Sequence, residues 1–192
     1  MQNNNTQNII IVGVGGQGAL LASRVLGNLA KSLGLDVKVS EVHGMSQRGG
    51  SVITHVRMGG KVYSPLVPLR EADIILAFEP LEALRYLEYL KDGGRIIVGT
   101  KEVPPMSVLA GQAAYPTDII KTLSEAADTI AFDADALAVS EGFPRAVNIA
   151  LLGRMAAISD YPTDLWEGAI RASVPVKFTE GNLNVFRKAR GE

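Results

Sequence analysis

Two glycine-bearing segments hold the residues whose types and spacing could do chemistry. The first is Gly13-Val14-Gly15-Gly16-Gln17-Gly18. Gly13, Gly15 and Gly18 fit the G-x-G-x-x-G spacing, which needs a strand before it and a helix after it. In that setting the backbone N–H groups and the positive end of the helix dipole together attract phosphate or carboxylate. The same glycines would also serve close strand–helix packing alone, and the spacing leaves both readings open. The second segment is Ser46-Gln47-Arg48-Gly49-Gly50, where a guanidinium, a hydroxyl, an amide and open backbone can all donate to an anion. Its plainer reading is a solvated arginine in a glycine-shaped turn. His43 is the histidine nearest these loops, and Glu41 falls about 20 residues past the glycine turn, where a ribose-binding acid stands in a dinucleotide fold. Glu79 follows an apolar run and reads either as a helix-start residue or as a group reaching the same crevice. His55 reads as structural.

The elements that must position these groups follow from the apolar pattern. Ile9-Ile10-Ile11-Val12 is a run of β-branched residues, as in a strand buried on both faces. Leu20, Leu21, Val25, Leu26 and Leu29 mark a helix over 19–33, and 35–42 alternates as a strand. Residues 51–58 alternate too, and Gly59-Gly60 followed by Lys61–Ser64 predicts a two-strand antiparallel hairpin. Strands are expected at 72–78, 95–99 and 129–133. Helices are expected from Pro80 to Lys91 with Leu81, Leu84, Leu87 and Leu90 inward, from 117 or 118 to 127, and over 134–140. Beyond Gly142 helices are expected over 145–158, 163–173 and 181–189. The second loop follows the second strand, so a doubly wound sheet would bring both loops to one carboxyl rim. The fold class is therefore α/β: a doubly wound, Rossmann-like mixed sheet, mostly parallel with an antiparallel hairpin, and a helical C-terminal part packed on it. Residues 1–7 are expected to form a disordered tail, and 8–192 one domain.

Composition narrows the chemistry. Of 192 residues, 47% are hydrophobic and the net charge is −1, which supports a core and gives no basic face for nucleic acid. There is no cysteine, so the chain has no thiolate nucleophile and no cysteine ligand for an iron–sulfur cluster. With two histidines and no clustered carboxylates, no metal site and no catalytic residue are assigned. No apolar run approaches the ~20 residues that span a bilayer, and the polar start has no signal-peptide character. A cytoplasmic protein with no membrane partner is expected.

Gly13-Val14-Gly15-Gly16-Gln17-Gly18 together with Gly44-Met45-Ser46-Gln47-Arg48-Gly49-Gly50-Ser51-Val52 resembles the gamma-type domain of 2-oxoacid:ferredoxin oxidoreductases. Glu79-Pro80, Gly93-Gly94, the helix carrying Asn148 and the last helix around 182–186 are similar too, so the likeness runs over about residues 8–188. The nearest branch is the small subunit of the aryl-pyruvate type, such as that acting on indolepyruvate. The resemblance implies oxidative decarboxylation of a 2-oxoacid with coenzyme A and oxidised ferredoxin, giving acyl-CoA, carbon dioxide and reduced ferredoxin. It implies a larger partner subunit that holds thiamine diphosphate and iron–sulfur clusters, with coenzyme A bound there or shared, and no cofactor held by this chain alone. Gly13, Gly15, Gly16, Gln17, Gly18, Ser46, Gln47, Arg48, Gly49 and Gly50 would then face coenzyme A, a cofactor diphosphate or the partner. A stand-alone NAD(P)-dependent dehydrogenase or a nucleotide-binding regulatory module is the alternative. If a partner exists, an exposed apolar patch is expected, with the Met45 region and the helix at 146–157 as candidates.

Overall fold

The computed structural model describes residues 6–43 and 49–191. The chain begins with strand β1 (Gln7–Val14), helix α1 (Ala19–Ser32), strand β2 (Asp36–His43) and strand β3 (Ser51–Gly59). Next come β4 (Ala72–Ala77), α2 (Pro80–Arg85), β5 (Leu90–Gly99), α3 (Met106–Leu109), α4 (Ile119–Ala126), β6 (Asp128–Phe132) and α5 (Ala134–Ser140). Three helices complete it: α6 (Val147–Ala157), α7 (Thr163–Arg171) and α8 (Thr179–Arg190).

The sheet order is β2-β3-β1-β4-β5-β6. β1, β4, β5 and β6 pair in parallel, while β3 runs antiparallel to both of its neighbours, β1 and β2. The mixed, mostly parallel sheet expected from the sequence is therefore present. Its antiparallel partner differs from expectation. Lys61–Ser64 forms no strand, because β1 and β2 already occupy both edges of β3. The chain after β3 is instead fastened from the side. Asp36 Oδ2 accepts from Val62 N–H at 2.9 Å, and the Arg57 guanidinium donates to the carbonyls of Ser64 and Leu66 at 3.3 and 3.2 Å.

Both faces of the sheet are covered, which explains the unbroken β-branched run in β1. Ile9 and Ile11 pack towards α1, α6, α7 and α8, whereas Ile10 and Val12 pack towards α2 and α4. All four are fully buried. The helix anticipated over Pro80–Lys91 stops at Arg85, followed by a 3₁₀ turn at Leu87–Tyr89 and the start of β5 at Leu90. Between 104 and 116 the only regular element is the single turn α3. Asp118 precedes α4 with φ 58° and makes no side-chain cap.

The apolar helix α6 lies at the centre of the core: Ile149, Ala150, Leu151, Leu152, Met155 and Ala156 are all buried. The expectation that 146–157 forms an exposed patch is thus corrected. A helix apolar all round is buried all round, here between the sheet and α8. Met45, the other candidate, lies outside the described residues. The large apolar side chains that do reach the surface include Leu20 (62% exposed), Met106 (72%), Leu109 (67%) and Val176 (92%).

Packing of α6 on α8 is close at Gly153, where an added Cβ would stand 2.6 Å from the Phe186 carbonyl oxygen and 2.8 Å from Ala189 Cβ. Backbone cannot yield there as a side chain would. Gly153→Ala is expected to destabilise the fold by about 1–3 kcal/mol through overpacking, or roughly 2–10 °C in Tm for a chain of this size. Thermal denaturation followed by circular dichroism checks it; an unchanged Tm would contradict the close approach.

Candidate functional site

β1 leads into α1 through the glycine turn, and the turn is closed from inside. Gln17 Oε1 accepts from the Val14 N–H at 2.7 Å, and Gln17 N–H donates to Val14 C=O at 3.2 Å. A Cβ at Gly13 would meet that Gln17 oxygen at 2.8 Å and Phe78 Cβ at 3.0 Å, so Gly13 is required by packing. Gly16 and Gly18 adopt φ values of 102° and 96°, a left-handed backbone that glycine takes without strain. Gly18 is also crowded by Asn148 of α6, whose Nδ2 donates to the Gly18 carbonyl at 3.3 Å.

The positive end of α1 is left without internal compensation. Gly18 occupies the N-cap with no side-chain acceptor, and the first turn holds no acidic residue. The N–H groups of Gly16, Gly18, Ala19 and Leu20 have no acceptor among the described residues. They border a cleft of about 340 Å³ lined by residues 14–20 together with Glu41, His43 and Val52. Glu41, Thr54 and Ile11 sit side by side across β2, β3 and β1, and Thr54 Oγ1 donates to Glu41 Oε2 at 3.3 Å. The cleft therefore sets free N–H donors near one acidic acceptor. It suits a ligand carrying both phosphate and hydroxyl groups.

Of the residues expected in the site, Gly15 and Gly50 are brought into direct contact. Gly15 N–H donates to Gly50 C=O at 2.8 Å, and Gly49 N–H reaches Gly15 C=O at 3.5 Å. This clasp extends the β1–β3 ladder, in which Val14 faces Ser51. Ser46, Gln47 and Arg48 lie outside the described residues. Gly13 and the Gln17 side-chain oxygen build the turn, while Gly16 and Gly18 carry free donors. His55 is buried on the opposite face of the sheet, where its Nδ1 accepts from Val67 N–H at 3.2 Å; burial lowers its pKa.

Two carboxylates are buried: Glu79, which takes the helix-start role that the sequence offered for it, and Glu82, which the sequence did not single out. Glu79 is 1% exposed and caps α2 by accepting from Glu82 N–H at 2.9 Å. Its other oxygen accepts from Val103 N–H at 3.2 Å and from the Tyr115 hydroxyl. Glu82 is 5% exposed, and its oxygens accept from the Ser51 hydroxyl and face Arg85 Nε at 3.3 Å. Burial raises its pKa above the ordinary carboxylate value, with Ser51 and Arg85 acting against the shift. The available signal was the Glu–Pro–x–Glu spacing, in which an N-cap acceptor is followed three residues later by a second acid. The expected stripe Leu81, Leu84, Leu87 and Leu90 does pack, half-buried, against the core on this side, while Glu82 and Ala83 are the more deeply buried residues of α2.

The domain profile for pyruvate ferredoxin/flavodoxin oxidoreductase matches residues 8–192. The chain belongs to that family. Indolepyruvate oxidoreductase subunit IorB of Thermococcus kodakarensis is 45% identical over 185 residues, covering 93% of this chain and 92% of the relative. The fold is shared with the gamma subunit of keto/oxoacid ferredoxin oxidoreductase from Geobacter sulfurreducens, at TM-score 0.71 and 24% identity over 96% of each chain. It is shared as well with 2-oxoglutarate:ferredoxin oxidoreductase from Magnetococcus marinus, solved with 2-oxoglutarate, coenzyme A and succinyl-CoA bound. That likeness has a TM-score of 0.74 at 16% identity and spans 96% of this chain but 30% of the larger one. The expectation of a subunit of a 2-oxoacid:ferredoxin oxidoreductase is borne out.

The environment of Glu82 implies a pH effect whose sign is fixed. A carboxyl whose folded pKa is raised favours folding while protonated, and that contribution fades as pH rises from its unfolded value, about 4.5, through its folded value. Glu82→Gln is neutral at every pH and lacks this loss. The Tm difference, variant minus wild type, is expected to grow more positive as pH rises from 4.5 to neutrality. A difference independent of pH would show that burial does not penalise the Glu82 charge.

Proposed function

We propose that this chain is the small subunit of a cytoplasmic, thiamine-diphosphate-dependent 2-oxoacid:ferredoxin oxidoreductase, and that its α1 cleft forms one wall of the coenzyme A site. The complex would convert a 2-oxoacid, coenzyme A and oxidised ferredoxin to acyl-CoA, carbon dioxide and reduced ferredoxin. An aryl pyruvate such as indolepyruvate is the favoured oxoacid, supported by the 45% identity to the IorB relative. The observation that carries the reading is the group of unpaired N–H donors at Gly16, Gly18, Ala19 and Leu20, in one cleft with Glu41. Among the reaction's components, coenzyme A has both the phosphates such donors hold and a ribose for a nearby carboxylate.

In this reading α1 binds a phosphate of coenzyme A through backbone N–H groups and the helix dipole. Glu41 orients the sugar by accepting from a hydroxyl, and Arg48 adds a guanidinium donor from the second loop, whose Gly49 and Gly50 hold it to Gly15. These contacts hold the nucleotide end and leave the thiol arm to reach the partner's reacting centre. The chain's own residues do not fit an iron–sulfur cluster, since no cysteine is present to ligate one. Electron transfer therefore belongs to a larger partner subunit carrying the clusters and thiamine diphosphate.

Chain order weighs against a stand-alone dinucleotide enzyme. In the dinucleotide fold the acid-bearing second strand lies beside the first. Here β3 separates β2 from β1 and moves Glu41 one strand away from the glycine turn.

Three measurements test the proposal. Affinity isolation of the tagged chain from its host is expected to bring a larger, cysteine-bearing, thiamine-dependent protein; isolation alone at native expression would overturn the assignment. Gly15→Val puts a side chain at the clasp and is expected to raise KM for coenzyme A at least tenfold, about 1.4 kcal/mol, or to block assembly. An intact complex with unchanged KM would refute it. Arg48→Ala should lower kcat/KM for coenzyme A by about 10- to 100-fold, the range for losing a hydrogen bond to a charged group, with the Tm retained. Unchanged kinetics would remove Arg48 from the site.

A further inference from the structure

The cleft lies on the α1 side of the sheet, yet the residue that begins β3 is held from the other side. Ser51 faces Val14 across the ladder, directly after the Gly49–Gly50 pair that clasps Gly15. Its hydroxyl donates to Glu82 Oε2 and lies 3.1 Å from the Tyr86 hydroxyl, both carried by the α2 segment. The second Glu82 oxygen faces Arg85 Nε at 3.3 Å, so the carboxylate is engaged at both ends. Glu82 itself is anchored through its backbone N–H, which donates to the buried Glu79. The ladder fixes the Ser51 backbone, and its side chain adds a second hold. That hold is a buried acid on a capped helix.

We infer that Glu82 is a positioning residue which, through Ser51, fixes the Gly49–Gly50 end of the second loop against Gly15 and so sets the affinity of the α1 cleft for its anionic nucleotide ligand. The inference rests on the reading of that cleft as the coenzyme A wall. Its physical basis is the continuity of the contacts. From Glu82 to Ser51, along the backbone to Gly50, and across to Gly15 N–H, every step is a covalent link or a hydrogen bond. Gly15 is followed at once by Gly16, the first of the free donors. A small shift of β3 along β1 therefore moves the donors relative to the ligand, and misplacement on the ångström scale is costly in a preorganised site.

The test uses the assembled complex with its partner subunits, and steady-state kinetics with coenzyme A as the varied substrate. Ser51→Ala and Glu82→Leu are each expected to raise KM for coenzyme A roughly fivefold or more while kcat stays within about twofold. The double variant should be no worse than the poorer single one, because both break the same link. Glu82→Gln keeps an acceptor for the Ser51 hydroxyl and should recover most of the affinity. Hydrogen exchange is expected to quicken in peptides covering residues 13–18 in Ser51→Ala. Unchanged KM in Ser51→Ala and Glu82→Leu, alongside a raised KM in Gly15→Val, would overturn the inference and leave the cleft assignment standing. Loss of assembly or of kcat without any change in KM would mark a role in the fold alone and overturn it as well. Unchanged KM in every variant, Gly15→Val included, would overturn the cleft assignment and this inference with it.

Discussion

One antiparallel strand in an otherwise parallel sheet is the constraint on which the site depends. β1 and β2 run in the same direction, so both end at the same rim, at Val14 and His43. A third strand parallel to them would have to start at the far rim, and the chain would leave the site by a crossover. Because β3 runs the other way, it starts where β1 and β2 finish. β2 thus ends and β3 begins at the rim of the glycine turn, and Gly49 and Gly50, just before β3, continue the ladder as the clasp with Gly15.

The same strand separates structural work from ligand-binding work across the two faces of the sheet. On the α1 face, Glu41 and Val52 border the cleft with the free N–H groups, and the buried Thr54 donates to Glu41. On the α2 face, Ser51, His55 and Arg57 hold the strand in place by contacts with Glu82, with Val67 and with the chain at 64–66. Alternation along a strand makes this possible, since successive side chains point to opposite faces. Binding groups can then remain uncommitted while their neighbours in sequence are fully engaged.

Glu79 does comparable work for the rim beyond β4. One of its oxygens caps α2, and the other receives Val103 N–H and the Tyr115 hydroxyl. The chain from 103 to 115, including the exposed Met106 and Leu109, is therefore tied near both ends to a single buried carboxylate. Burying an acid is costly unless its oxygens are satisfied, and here three donors satisfy them. The Tyr115 hydroxyl is correspondingly held well above its ordinary pKa, by burial first and then by its bond to Glu79.

Much of this fold is legible in the sequence because its signals are local. Four consecutive β-branched residues announce a strand covered on both sides, and Gly13, Gly15 and Gly18 announce the turn into α1. The absence of cysteine removes cluster ligation from this chain without reference to any structure. What tertiary structure alone decided is which strand lies beside which, and what each side chain meets there. The alternation in 51–58 is the same whether its partner is 61–64 or β1 and β2; only long-range pairing, occupying both edges, excludes the nearer partner. Glu82 carries no signal of its own beside the leucines around it, and only its contact with Ser51, a residue 31 positions earlier, shows the acid buried and engaged. The apolar run of α6 could equally be core or interface, and its position between the sheet and α8 makes it core. Periodicity reports how many sides of a segment are covered, whereas the identity of the covering atoms is a property of contacts between residues far apart in the chain.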